Sequence, residues 1–454
     1  MVDAAGADDR RKPGRRPRLS HGLRIAAVRY RVQESLFVLP ALVMVGGIAL
    51  AVGASALDDA LGHDARVPVT LAMSTNAATW LLSTVAGAMI TTVGVVFSLT
   101  VVSLQLASSQ FSPRVMRSFV RDRLSQAVIG LLVGTFFYCV LVLPNLSGEA
   151  TDPAPRVSLT LAVVLTLVTV VGIIAHLDHL AHGLQVGNVV RVIGDEGEAV
   201  VDRLGRVPPG LRAADPEDHL APPDAAVLAC RDSGWVSQVD TGRLLAAVPP
   251  GTTVRVETRV GAYIHAGEPL VTVWPAPSDD ARDALAGAVD VTDARTMLQD
   301  VDFALRQLVD IGLRALSAAV NDPTTAVDVL LRLGTLLRRV LTVPLAPEAL
   351  EDATGRVLVQ PWNLDHDEYV THAFDQLRQS CTDQPHVAAA MLRVLRMLVD
   401  HVEAAGVPER APALRRQMEL LLEALADEPR LHPQDLRRLR LLASDRTDPA
   451  DHSR

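Results

Sequence analysis

No Asp, Glu, Lys or Arg occurs between Arg66 and Arg114. A run that long exceeds the ~20 apolar residues needed to cross a bilayer. Pro68 and Pro113 bound it, and nothing between Thr79 and Gln110 reads as a turn. The stretch is therefore expected to form one long helix rather than a hairpin. Its polar residues are ordered. Thr84, Thr91, Ser98 and Gln105 fall seven apart, a step that returns a helix to nearly the same face. Gly87, Ala88, Gly94, Val95 and Ser108 flank that stripe. In lipid a small, hydroxylated face belongs against protein or water. The helix thus either packs against other helices or lines a path.

Three further charge-free runs, 36–57, 127–146 and 157–175, can each hold one span. The expected layout is a basic N-terminal segment (1–35) and a four-span bundle (36–175). A juxtamembrane helix and Pro-rich linker (176–225) follow. The loops set the orientation. Nine basic residues against four acids precede the first span, and the first loop carries Asp58, Asp59 and Asp64 against Arg66. The second loop is basic, with Arg114, Arg117, Arg121 and Arg123 against Asp122, and the third is acidic. This positive-inside alternation places both termini in the cytoplasm of an inner-membrane, multi-pass protein. The remainder, 176–454, is strongly acidic, which disfavours nucleic acid as a partner.

After the linker prolines the hydrophobic period changes. Segments 226–230, 234–240, 253–258 and 262–274 read as short strands, giving a β module over 226–275. Tyr263-Ile264-His265-Ala266-Gly267-Glu268-Pro269-Leu270 resembles the turn of a small barrel-sandwich hybrid, as in biotinyl and lipoyl domains. Lys12 is the only lysine, so no such group can be attached there, and no cofactor is expected. Residues 276–445 read as helical, with helices expected at 365–381, 385–405, 411–427 and 433–443, and a tail at 446–454. The expected fold class is mainly α: a four-helix transmembrane bundle with a large cytoplasmic α domain containing a small β barrel-sandwich-like module.

Candidate chemistry is sparse. His176, His179 and His182 follow the fourth run. Steps of three spread the imidazoles over ~120° and ~9 Å, which suits a polar collar better than one metal ion. His366 lies among Asp365, Asp367 and Glu368, which suits a helix start. Asp322 before Pro323 is an N-cap followed by proline at the first helical position. There is no P-loop, nucleophile elbow or paired metal motif, so an enzyme is not expected.

Two strings carry a family resemblance. They are Ser103-Leu104-Gln105-Leu106-Ala107-Ser108-Ser109-Gln110-Phe111-Ser112-Pro113-Arg114 and the stretch from Gly312 to Ala326 containing Asn321-Asp322-Pro323. Over about 30–445 the chain resembles the bacterial membrane-protein family catalogued as domain of unknown function twenty-two fifty-four. Ala318 stands where the resemblance implies a proline. The resemblance implies architecture and brings no activity. Two functions stay open: an oligomeric channel or transporter for small ions or polar solutes, and a membrane-anchored scaffold or sensor with a cytoplasmic protein partner. A homo-oligomer in the lipid bilayer fits both.

Overall fold

The computed structural model describes residues 37–61, 70–110, 123–146, 154–183 and 185–444, without the side chains of 107–110. The basic N-terminal segment, the tail after Ser444, and Pro113 and Arg114 lie outside these residues. The chain divides into two compact units, one built on the apolar helices up to Ala181 and one on His182–Arg454.

The first unit has four helices long and apolar enough to cross a membrane: α1 (Val38–Leu61), α2 (Thr75–Gln110), α3 (Arg123–Val142) and α4 (Arg156–Gly183). Uncharged, proline-poor stretches form helices because each backbone group is then satisfied within its own segment. At 36 residues, α2 is about 54 Å long, well beyond a ~30 Å hydrocarbon layer.

Helix α3 is the centre of the unit, with Leu132, Tyr138, Cys139 and Val142 fully buried. Its backbone meets α1 closely. A Cβ built on Gly130 would lie 2.9 Å from Val43 Cβ and 3.0 Å from Pro40 Cα, and one on Gly47 would lie 2.8 Å from the Gly134 carbonyl oxygen. Only glycine permits this approach, the small-residue packing expected where lipid supplies no hydrophobic drive between helices.

The four helices outrun the four charge-free runs. Because of that, ionisable residues lie within the candidate spans, among them Asp58, Asp59, His176 and Asp178, although the charge-free runs themselves hold none of these. Asp58, on the last turns of α1, is buried. Its carboxylate accepts from the Val157 and Ser158 N–H groups at 3.0 and 2.8 Å and from Ser158 Oγ at 2.7 Å. It caps the start of α4 from another helix, meeting donors that α4 cannot satisfy internally. Tyr138 donates to the Ser158 carbonyl beside it.

The second unit opens with α5 (Val186–Leu204). Nine strands follow in chain order: β1 (Leu211–Ala214), β2 (Ala226–Ala229), β3 (Gly234–Val239), β4 (Thr253–Val256), β5 (Tyr263–Ile264), β6 (Pro269–Trp274), β7 (Val289–Thr292), β8 (Ala349–Asp352) and β9 (Val357–Val359). Short helices α6 (Thr241–Ala246) and α7 (Asp279–Ala286) lie among them. One sheet has the order β1-β8-β9-β4-β6-β2, the other β5-β3-β7. Both are open, and no closed barrel is present among the described residues. Strands from outside 226–275, namely β1, β7, β8 and β9, pair onto the module's own strands or onto each other. The alternation of Val254 and Val256 with Arg255 turns the valines into a core shared by the two sheets, with Val236, Val271, Val289 and Leu358. The motif itself forms its turn. Gly267 adopts φ +93°, and its N–H donates to the Cys230 carbonyl at 2.8 Å.

The remaining helices are α8 (Val301–Ala315), α9 (Pro323–Val340), α10 (His366–Ser380), α11 (Pro385–Ala404), α12 (Ala411–Ala426) and α13 (Pro433–Ala443). Helices α8 and α9 are central, packing on each other and on α5. Glycine again sets the approach: a Cβ on Gly197 of α5 would lie 2.7 Å from Ala304 Cβ. Arg339 of α9 pairs with Glu198 and Asp202 of α5. An ionic knot sits at the start of α8. Arg295 bonds Asp300 at 2.6 Å and Asp302 at 2.7 Å, and His372 of α10 bonds Asp302 at 2.7 Å. Burial acts against the Asp302 charge, but His372 and Arg295 outweigh it and hold the carboxyl down to about 2.

Candidate functional site

The polar stripe of α2 lies on the surface of the single chain. Thr84, Gly87, Thr91, Gly94, Ser98 and Gln105 are all exposed. The face that α2 presents to its own bundle is a different one: Ala78, Leu82, Ala86, Met89 and Val96, all buried. Two residues turn a helix by about 200°, so Gly87 and Thr91 stand nearly opposite Met89. Nothing lies within 4 Å of a Cβ built on Gly87 or Gly94. Packing inside the chain therefore asks for glycine at 47, 130 and 134 and leaves it unexplained at 87 and 94.

The hydroxyls divide. Thr91 Oγ1 donates to the Gly87 carbonyl at 2.8 Å and Thr100 Oγ1 to the Val96 carbonyl at 2.8 Å. These back-bonds satisfy a hydroxyl within its own helix. Thr84, Ser98 and Gln105 make no side-chain hydrogen bond among the described residues. An exposed amide at Gln105 and a hydroxyl at Ser98 call for a polar neighbour, because burying such groups unpaired in an apolar medium costs several kcal/mol. Ser109 and Gln110 close α2 in the backbone.

The histidines are not brought together. His176 is fully buried, with Nδ1 3.3 Å from Ser125 Oγ of α3, whereas His179 and His182 are exposed. Among the described residues no three or more His, Cys, Asp or Glu side chains form a group that could hold a metal ion.

The Asn321-Asp322-Pro323 string is a corner between α8 and α9. Asn321 takes φ +47°, a left-handed conformation that asparagine tolerates better than most residues. Its N–H donates to the Ser317 carbonyl at 2.8 Å, and the Asp322 N–H to the Ala315 carbonyl at 2.8 Å. Asp322 then caps α9, accepting from the Thr325 N–H at 3.1 Å and from Thr325 Oγ1 at 2.6 Å. Those hydrogen bonds hold its carboxyl below the usual range. The acids around His366 do similar work. Asp365 and Glu368 form a reciprocal capping box at the start of α10, and His366 Nε2 sits 3.1 Å from the Val343 carbonyl.

The family model described as "Predicted membrane protein (DUF2254)" matches residues 33–397. The chain belongs to this family. Within DUF2254, an uncharacterised protein of Mycobacterium tuberculosis strain H37Rv is 32% identical over 417 residues, spanning 87% of this chain and 77% of the relative. An uncharacterised protein of Mycobacterium bovis is similar to the same extent. No solved structure matches. Both quoted motifs fall within the matched DUF2254 range.

Proposed function

We propose that this DUF2254 protein is a homo-oligomer in which α2 of each copy faces the others and lines a polar path for small ions or polar solutes. The carrying observation is the position of the stripe: six polar or small residues on the face that α2 turns away from its own bundle. Acyl chains are a poor neighbour for that face, and copies of the chain around a symmetry axis are a good one. Uncharged hydroxyl and amide linings suit small ions and polar solutes. Asp58 does not make the path proton-coupled, because its oxygens are occupied at the start of α4.

The loop charges support an inner-membrane protein with both termini in the cytoplasm and the acidic second unit on that side. A reporter fused after His452 should be active only as a cytoplasmic fusion; periplasmic activity there contradicts the orientation.

The path is tested by reconstituting purified protein into liposomes and measuring potassium and chloride flux. Flux above protein-free vesicles, reduced by Ser98→Leu, is the expected result. One observation favours a second reading. Thr91 satisfies its hydroxyl internally, so the face can close dry at that position, as in a scaffold or sensor whose second unit binds a protein. In that case the oligomer forms and the vesicles stay tight.

A further inference from the structure

The second unit contains a cleft of about 830 Å³ between the end of α5, the start of α6, the loop before α8 and the chain entering α10. That volume suits a metabolite and is far larger than a lone inorganic ion needs. Its charges are unequally engaged. Three arginines line it: Arg203, Arg206 and Arg259. Arg203 donates to the Leu298 carbonyl at 3.3 Å and Arg259 to the Val260 carbonyl at 3.1 Å. None of the three forms an ion pair among the described residues.

Most of the acids in the lining already have work. Asp240 caps α6 by accepting from the Arg243 N–H, and Asp365 caps α10. Asp300 holds Arg295 and the Phe303 N–H. Only Glu348 is left exposed with no such duty. The cleft thus presents guanidinium groups that the fold does not neutralise, in a chain whose net charge is −9.

Tyr369 supplies the second observation. Its side chain lines the cleft and is only 6% exposed, yet its hydroxyl has no hydrogen-bond partner among the described residues. The ring is buried, while the hydroxyl oxygen is not among the buried unpaired atoms and faces the solvent of the cleft, where a ligand oxygen would take the place of water. Burial pushes the phenol up, and the Arg259 charge acts on it in the opposite sense. The phenol is a proton donor at any physiological pH.

We propose that this cleft binds a phosphorylated small molecule, whose phosphate is met by the arginines and by the Tyr369 hydroxyl. Planar guanidinium groups match phosphate oxygens in paired hydrogen bonds. Glu348 is available to accept from a hydroxyl or amino group elsewhere on the ligand. The proposal does not depend on whether the α2 face lines a path.

The test is calorimetric titration of the full-length protein in detergent with AMP, glucose 6-phosphate and inorganic pyrophosphate, with adenosine and glucose as unphosphorylated controls. Saturable binding of at least one phosphorylated probe, and none of the controls, is expected. Arg259→Gln should weaken that binding about tenfold or more. Tyr369→Phe removes one oxygen and should weaken it several-fold at an unchanged melting temperature, so it carries the test even if the arginine variant misfolds. No binding of any of the three phosphorylated probes up to millimolar concentration overturns the proposal. So does binding that Tyr369→Phe leaves unchanged, or adenosine binding as tightly as AMP.

Discussion

Helices α3 and α2 are both long, apolar and glycine-bearing, and they use their glycines differently. In α3, Gly130 and Gly134 face α1, with Gly47 on the other side of the crossing; a Cβ has no room at Gly130 or Gly47 and is tight at Gly134. In α2, Gly87 and Gly94 face open space. A small-residue face marks close approach by something, but its sequence does not say whether the partner belongs to the same chain. Here the structure separates the two cases. The α3 face is accounted for within one chain. The α2 glycines meet nothing among the described residues, and the proposed second copy would cover that face.

The largest effect should come from the accounted-for face. Gly130→Leu forces a side chain into Val43 and the Pro40 backbone and should destabilise the protein by roughly 3 kcal/mol or more. Loss of folded protein on expression, or an early transition in detergent melting, is the readout. A normal melt would mean that the α1–α3 crossing is not as close as described.

Asp58→Ala should come next. It removes the acceptor of three hydrogen bonds at the buried start of α4, at about 2 kcal/mol. Asp58→Asn keeps part of the acceptor capacity and should do less harm in the same melt. Asp322→Ala is the equivalent change at a half-buried helix start in the second unit. Loss of that cap should cost about 1 kcal/mol, while Asp322→Ser should be nearly neutral because serine also caps. If serine were as damaging as alanine to an activity while neither moved the melting temperature, the corner would be a functional site instead.

The smallest effect on folding should be at α2. Gly94→Leu meets no neighbour within the chain and should shift the protomer's stability by less than about 0.5 kcal/mol. It should nevertheless lower the oligomer's mass in light scattering. A Gly94→Leu protein that unfolds as readily as Gly130→Leu would erase the contrast between the two helices.

Much of this fold is legible in the sequence, because local signals and tertiary demands agree. Charge-free runs mark the four long helices, and the caps at Asp322 and Asp365 mark helix starts that the structure places there. The alternation around Val254 marks a strand with one buried face. What escapes is what depends on distant partners. Asp58 reads as a loop acid because nothing local shows that α1 continues under it to the start of α4. His176 reads as one of three equivalent histidines until α3 brings Ser125 to it. The open sheets escape for the same reason, since β8 and β9 lie some hundred residues beyond β4 and no motif announces their pairing. The stripe on α2 is fully visible in sequence, but its direction is not, because periodicity shows that a face exists and not which way it points.

The direct measurement is oxidative cross-linking in native membranes. Single cysteines would be placed at 84, 91 and 98 on the stripe and at 89 and 96 on the packed face, in a background lacking Cys139, Cys230 and Cys381. The account predicts disulfide-linked dimers from the three stripe positions and none from the two packed ones. Equal cross-linking from both faces, or none from the stripe, would contradict the claim that α2 faces another copy of this chain.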